Sequence, residues 1–254
     1  MFSFFKRQVE LRRMVDVGWL LDTEKAGFIW AAPERVKGEE SEQHHAKSLR
    51  GCPGVLDHEA RLFQITCPID LHVRLGRDEK TGQPTLINVS GDQSTIRSKH
   101  LGQMLHMVPQ REWRKKDRPV IQIITPYLFI SDEPVYMTQM PPFHFYNREP
   151  WPGLLVGGRF PIDVWPRHLM WAMEWHDTSK DLILKRGDPW FYARFEAFDP
   201  SRPIRVIEAE MTPALRQQIQ GATAVSNYVN RTFSLFKTAR ERRPKQLLTP
   251  KKRD

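Results

Sequence analysis

Leu62-Phe63-Gln64-Ile65-Thr66-Cys67-Pro68-Ile69-Asp70-Leu71-His72-Val73-Arg74-Leu75 decides the fold class. Its second half alternates Ile69, Leu71, Val73 and Leu75 with Asp70, His72 and Arg74. Successive side chains of a strand point to opposite faces, so this period of two describes a strand with one face buried and the other wet. Thr81-Gly82-Gln83-Pro84 is a turn by composition, and Thr85-Leu86-Ile87-Asn88-Val89 follows it. The run from Leu71 to Val89 therefore reads as a hairpin.

The same signature recurs downstream. Val120 to Thr125 and Tyr127 to Ile130 are β-branched and aromatic runs split by Pro126, which predicts a strand that bends. Val135 to Met140, Trp171 to Trp175, Asp181 to Lys185, Trp190 to Phe195 and Arg205 to Glu210 read as further short strands. Short strands without regular intervening helices predict an antiparallel β-sandwich or jelly-roll-like body, not βαβ units. Upstream, residues 1–33 read as a lead-in of mixed pattern, with one short strand over Phe28-Ile29-Trp30-Ala31, and residues 34–50 as a polar loop. Residues 141–158 read as a loop rich in aromatics, prolines and glycines. Downstream of residue 211 the period changes. Thr212 is a good N-cap and Pro213 suits the first helical position. Leu215, Ile219, Ala222, Val225, Val229, Phe233 and Phe236 recur at three and four, predicting an amphipathic helix over 212–243 that Pro244 ends.

Charge is distributed unevenly. The chain carries 39 Lys and Arg against 30 Asp and Glu, a net +9. Residues 1–13 hold four cations and one acid, residues 237–254 hold eight and two, and residues 14–236 balance at 27 each. The excess thus lies at the ends. Basic ends attract phosphate or acidic surfaces non-specifically, which assigns Arg240, Arg242, Arg243, Lys245, Lys251, Lys252 and Arg253 as candidate contacts to nucleic acid or an acidic partner. Residues 244–254 read as a tail pointing away from the body. No apolar run reaches the roughly eighteen residues of a membrane span, and the apolar N-terminal run is too short for a signal peptide. The expected compartment is cytoplasmic. Cys52 and Cys67 are compatible with free thiols or with one disulfide.

Motifs with a fixed chemistry are absent: no phosphate loop, no Gly-x-Gly-x-x-Gly, no Gly-x-Ser-x-Gly, no Cys-x-x-Cys and no His-Glu-x-x-His. Arg186-Gly187-Asp188-Pro189 reads as a turn between strands. Trp151, Trp165, Trp171, Trp175 and Trp190 read mostly as sandwich core. The loop that begins at Phe143 is unusually apolar for a surface segment, and Phe143, Phe145, Tyr146 and Trp151 are its candidate protein-binding residues. An alternative places His144, His176 and Asp188 as an iron site, the two-histidine, one-carboxylate set of a jelly-roll Fe(II) oxygenase.

Cys52-Pro53-Gly54 with Asp57, Met140-Pro141-Pro142, Gly158-Arg159-Phe160 with Trp165, and Lys185-Arg186-Gly187-Asp188-Pro189 with Tyr192 and Phe195 together form a pattern. It resembles β-rich proteins of tailed phages and prophages, over roughly residues 50–200. The resemblance implies a viral or prophage setting, in host cytoplasm or virion, and contributes no catalytic residue. The expected function is a phage-type protein-binding or structural accessory module without a cofactor, its basic ends touching an acidic partner or nucleic acid.

Overall fold

Two prolines, Pro68 and Pro126, hand the chain from one sheet to another, and the architecture follows from those bends. The structure is a computed structural model that describes residues 14–23, 28–36, 48, 51–91, 102, 104–143, 150–226 and 232–252. Its strands are β1 (Val15–Leu21), β2 (Glu34–Arg35), β3 (Leu62–Thr66), β4 (Leu71–Arg77), β5 (Pro84–Asn88), β6 (Leu105–Met107), β7 (Val120–Ile124), β8 (Tyr127–Ile130), β9 (Val135–Met140), β10 (Gly153–Leu155), β11 (Gly158–Pro161), β12 (Met170–Trp175), β13 (Leu182–Leu184), β14 (Pro189–Ala197) and β15 (Ile204–Glu208). Its helices are α1 (Pro53–Glu59), α2 (Pro213–Ser226) and α3 (Thr232–Arg242).

Four sheets result, in the orders β15-β1-β8, β10-β12-β7-β6, β11-β9-β14-β3-β2 and β13-β4-β5. The chain is mainly β and largely antiparallel, a sandwich-like body that closes with helix. β3 lies in the five-stranded sheet and β4, just beyond Pro68, in another; β7 and β8 part in the same way at Pro126. At the second bend Leu169 restores the interrupted pairing: the Thr125 N–H donates to the Leu169 carbonyl, and the Leu169 N–H to that of Tyr127, at 2.9 and 3.0 Å. The expected hairpin forms, β4 pairing β5 from Val73↔Asn88 to Arg77↔Pro84. Gly82 takes a φ of +68° in its turn, a conformation open to glycine at little cost. The main core contains Trp171, Trp175, Trp190, Phe129, Phe191, Ile65 and Ile121, each buried, in agreement with the core reading of the tryptophans.

Several expectations need correction, among them the start of the expected 34–50 loop, where Glu34 and Arg35 form β2 and pair with β3. Residues 15–21, read as lead-in, form β1, which sits between β8 and β15 with Val15 and Val17 fully buried. Its partner β15 runs parallel to it. Residues 28–31 form no strand; Phe28 and Trp30 pack edge-on with each other instead, at 6.2 Å. Part of the expected 141–158 loop is strand, since β10 pairs β12 and β11 pairs β9.

The C-terminal helix starts as expected: the Thr212 hydroxyl accepts the Leu215 N–H at 3.2 Å. Leu215 and Ile219 bury against Leu20, Leu128, Ile130 and Ala209, a second apolar cluster beside the main core. Residues 227–231, and the side chains of Val225, Val229 and Phe233, lie outside what is described. Residues 244–252 do not extend away from the body. Leu247 and Leu248 join the second cluster, and Pro250 bridges to Ala209.

Candidate functional site

The C-terminal cations are drawn inward by carboxylates of the body. Arg240 donates from Nε and Nη2 to the two oxygens of Asp163, at 2.9 and 3.2 Å, and Asp163 is 1% exposed. Arg243, with its side chain 6% exposed, donates to the carbonyls of Ser131 and Asp132 and to the Asp132 carboxylate. One Asp132 oxygen also accepts the N–H groups of Leu247 and Leu248, at 2.7 and 3.1 Å. Lys251 pairs with Glu208 at 2.7 Å. Three of the seven candidate cations thus bind the protein itself, Arg242, Lys245 and Lys252 are exposed, and Arg253 lies outside the described residues.

The proposed apolar patch is only partly visible, since His144, Phe145 and Tyr146 lie outside the described residues. Phe143 is 40% exposed but stacks on His58 and meets Tyr192 edge-on, at 5.6 and 5.5 Å. Trp151 packs edge-on against Trp171 at 5.5 Å and belongs to the rim of the main core. Of the three iron residues, His144 lies outside the described residues. His176 Nε2 contacts Glu174 at 3.0 Å, while Asp188 belongs to the 185–188 turn, where Gly187 takes a φ of +86°. No three His, Cys, Asp or Glu side chains among the described residues are grouped to hold a metal. Cys52 and Cys67 are not joined in a disulfide, and the Cys67 thiol donates to the Ile69 carbonyl at 3.3 Å. No described helix is long and apolar enough to cross a membrane.

A charged face that the sequence reading missed lies between β6 and β7. Residues 110–118 read Gln-Arg-Glu-Trp-Arg-Lys-Lys-Asp-Arg, five cations against two acids. Pro109 and the single helical turn Gln110–Glu112 lift the segment off the sheet. Trp113 anchors it, its indole N–H donating to the Val108 carbonyl at 2.6 Å. Arg111, Arg114, Lys115 and Lys116 are exposed. Arg114 and Arg118 reach toward Glu174, at 3.5 and 3.6 Å, a buried carboxylate that steadies the base of the segment.

Facing this segment is the β4–β5 turn. The Asp78 carboxylate accepts the N–H groups of Lys80 and Thr81 and the Thr81 hydroxyl, which hold its carboxyl below the usual range. Arg77 donates to the Gly82 carbonyl at 3.1 Å. Between turn and segment lies a cleft of about 460 Å³ lined by Arg77, Pro84, Trp113, Lys116, Asp117 and Thr178 among others. Among the described residues neither Arg77 nor Lys116 is ion-paired. Two cations and an indole on the wall of one concavity suit an anion that carries an aromatic group. The signal was present in the sequence as a Trp within a cationic run, but balancing charge over residues 14–236 averaged it away. No protein-family model and no curated protein matches this sequence.

Proposed function

We propose that this protein is a non-enzymatic binding module of phage type that engages nucleic acid through the 110–118 segment and the cleft beside it. One observation carries this reading: exposed Lys115 and Lys116, with Arg77 across the cleft, form a local cationic surface on a body whose total charge is balanced. Phosphate contacts by Lys and Arg supply most non-specific affinity for nucleic acid, and releasing counterions makes that affinity fall with salt. The C-terminal cations are weaker candidates, because Arg240, Arg243 and Lys251 are committed to Asp163, Asp132 and Glu208.

Fluorescence anisotropy of a labelled oligonucleotide, titrated with the full chain from 50 to 200 mM salt, tests the proposal. Binding is expected to weaken steeply with salt, and Lys115→Glu with Lys116→Glu to reduce affinity by about tenfold or more at 50 mM. Affinity unchanged in that double variant would overturn the assignment of the face. Absence of binding at 50 mM salt would overturn the function.

A further inference from the structure

Resting on that reading, we infer that the nucleic acid bound is single-stranded, with one unpaired base seated in the cleft against Trp113 and the adjoining phosphate held by Arg77 and Lys116. The shape of the site carries the inference. A duplex presents a convex cylinder of phosphates with its bases stacked inside, so it lies across a flat or ridged cationic surface. A cleft of about 460 Å³ is a different receptor. Its volume falls within the range of small-ligand sites, roughly 300–1,000 Å³, and suits one nucleotide in place of a double helix.

The lining matches that ligand. Trp113 is half-buried, fixed through its N–H to Val108, and lines the wall, so an indole already held in place borders the cleft. Every base has a π-face, which is why aromatic platforms recur in proteins that bind single strands without regard to sequence. Arg77 and Lys116 both line the cleft, one from the hairpin and one from the segment. Lys115, next to Lys116 in the chain, is exposed and open to further phosphates of a strand. Asp117 and Thr178 supply polar edges able to accept or donate to a base rim. The larger cavity near Met14, about 690 Å³, lacks this chemistry, since its Asp16 and Glu133 already pair with Arg205 and Arg202.

The test compares a labelled twelve-nucleotide oligothymidine, the same strand in duplex with oligoadenine, and a twelve-nucleotide abasic strand of identical backbone charge, all with the wild-type full chain. The single strand is expected to bind about tenfold or more tighter than either of the others, and Trp113→Ala to bring it down to the abasic level. The abasic comparison needs no variant, so a local disturbance in Trp113→Ala leaves the inference exposed to refutation. Equal affinity for all three probes, abolished together by Lys115→Glu with Lys116→Glu, overturns the single-strand inference and leaves the wider reading standing. No binding of any probe overturns both.

Discussion

Asp163 keeps almost no contact with water, and Arg240 answers both of its oxygens from a side chain that is itself 40% exposed. The pair is therefore asymmetric. Losing the arginine strands a buried charge, whereas losing the carboxylate leaves a cation that water can reach. Arg240→Met is expected to cost about 3 kcal/mol in urea unfolding, and Asp163→Asn clearly less. A double variant is expected to be more stable than Arg240→Met alone, and equal costs for the two single changes would refute the asymmetry. The Asp181 carboxylate accepts two bonds from Arg74 and makes one contact with His72. Arg74 chiefly, then His72, draws its carboxyl down from 3.8 to about 2. A group that titrates lower when folded contributes stability above its unfolded pKa and loses it as pH falls through the folded one. Between about pH 4 and pH 2 the wild type is thus expected to lose urea midpoint faster than Asp181→Asn, with parallel profiles counting against the idea. The sequence showed His72 and Arg74 as the wet side of a strand, yet it could not show Asp181, a partner more than one hundred residues away.

At the scale of elements, strands that alternate or that form a continuous β-branched or aromatic run, as β8 does, were legible, and β1, β10 and β11 were missed. The hairpin from Leu71, the bend at Pro126 and the helix start at Thr212 all rest on local signals, namely period two, a missing N–H and a capping hydroxyl. β1 carries no such signal. Val15, Val17, Gly18 and Leu20 are all buried, so both faces of the strand are covered and alternation disappears. β10 and β11 hide among glycines and prolines that resemble a loop. Gly18 marks how tightly β1 is held: a Cβ there would lie 2.9 Å from the Ala209 Cβ and 3.1 Å from a Leu248 methyl. Gly18→Ala is expected to destabilise by about 1–3 kcal/mol through overpacking, measured as a lowered thermal midpoint. The return segment is the matching element from the other end. Leu248→Ala is expected to cost about 2–4 kcal/mol, because its side chain is buried among Leu20, Ile130 and Ala209. A cost below about 1 kcal/mol would mean that residues 245–250 do not seal this cluster.

For the whole molecule, counting charge along the chain and mapping it on the surface give different answers. Along the sequence the excess lies at the ends; in space, part of the C-terminal share is returned to the body as ion pairs, while residues 110–118 expose cations of their own. Deleting the C-terminal residues would therefore remove core as well as charge. Lys245→Gln with Lys252→Gln removes charge alone and is expected to leave oligonucleotide affinity within about twofold at physiological salt, where surface charges beyond a Debye length of about 8 Å are screened. A tenfold loss would return the binding role to the tail. The candidate site escaped the sequence reading for a spatial reason: Arg77 and Lys116 share one cleft only because the β4–β5 turn faces the segment between β6 and β7. The parallel pairing of β1 with β15 has a further consequence, one of timing. β1 is among the earliest described strands to be synthesised, and its neighbour is made about 190 residues later. At roughly 5–20 residues per second, one edge of β1 waits on the order of 10–40 s on the ribosome for its partner. During that interval the apolar edge of β1 that faces β15 stands unpaired, the kind of exposed strand edge that makes a folding chain prone to aggregate.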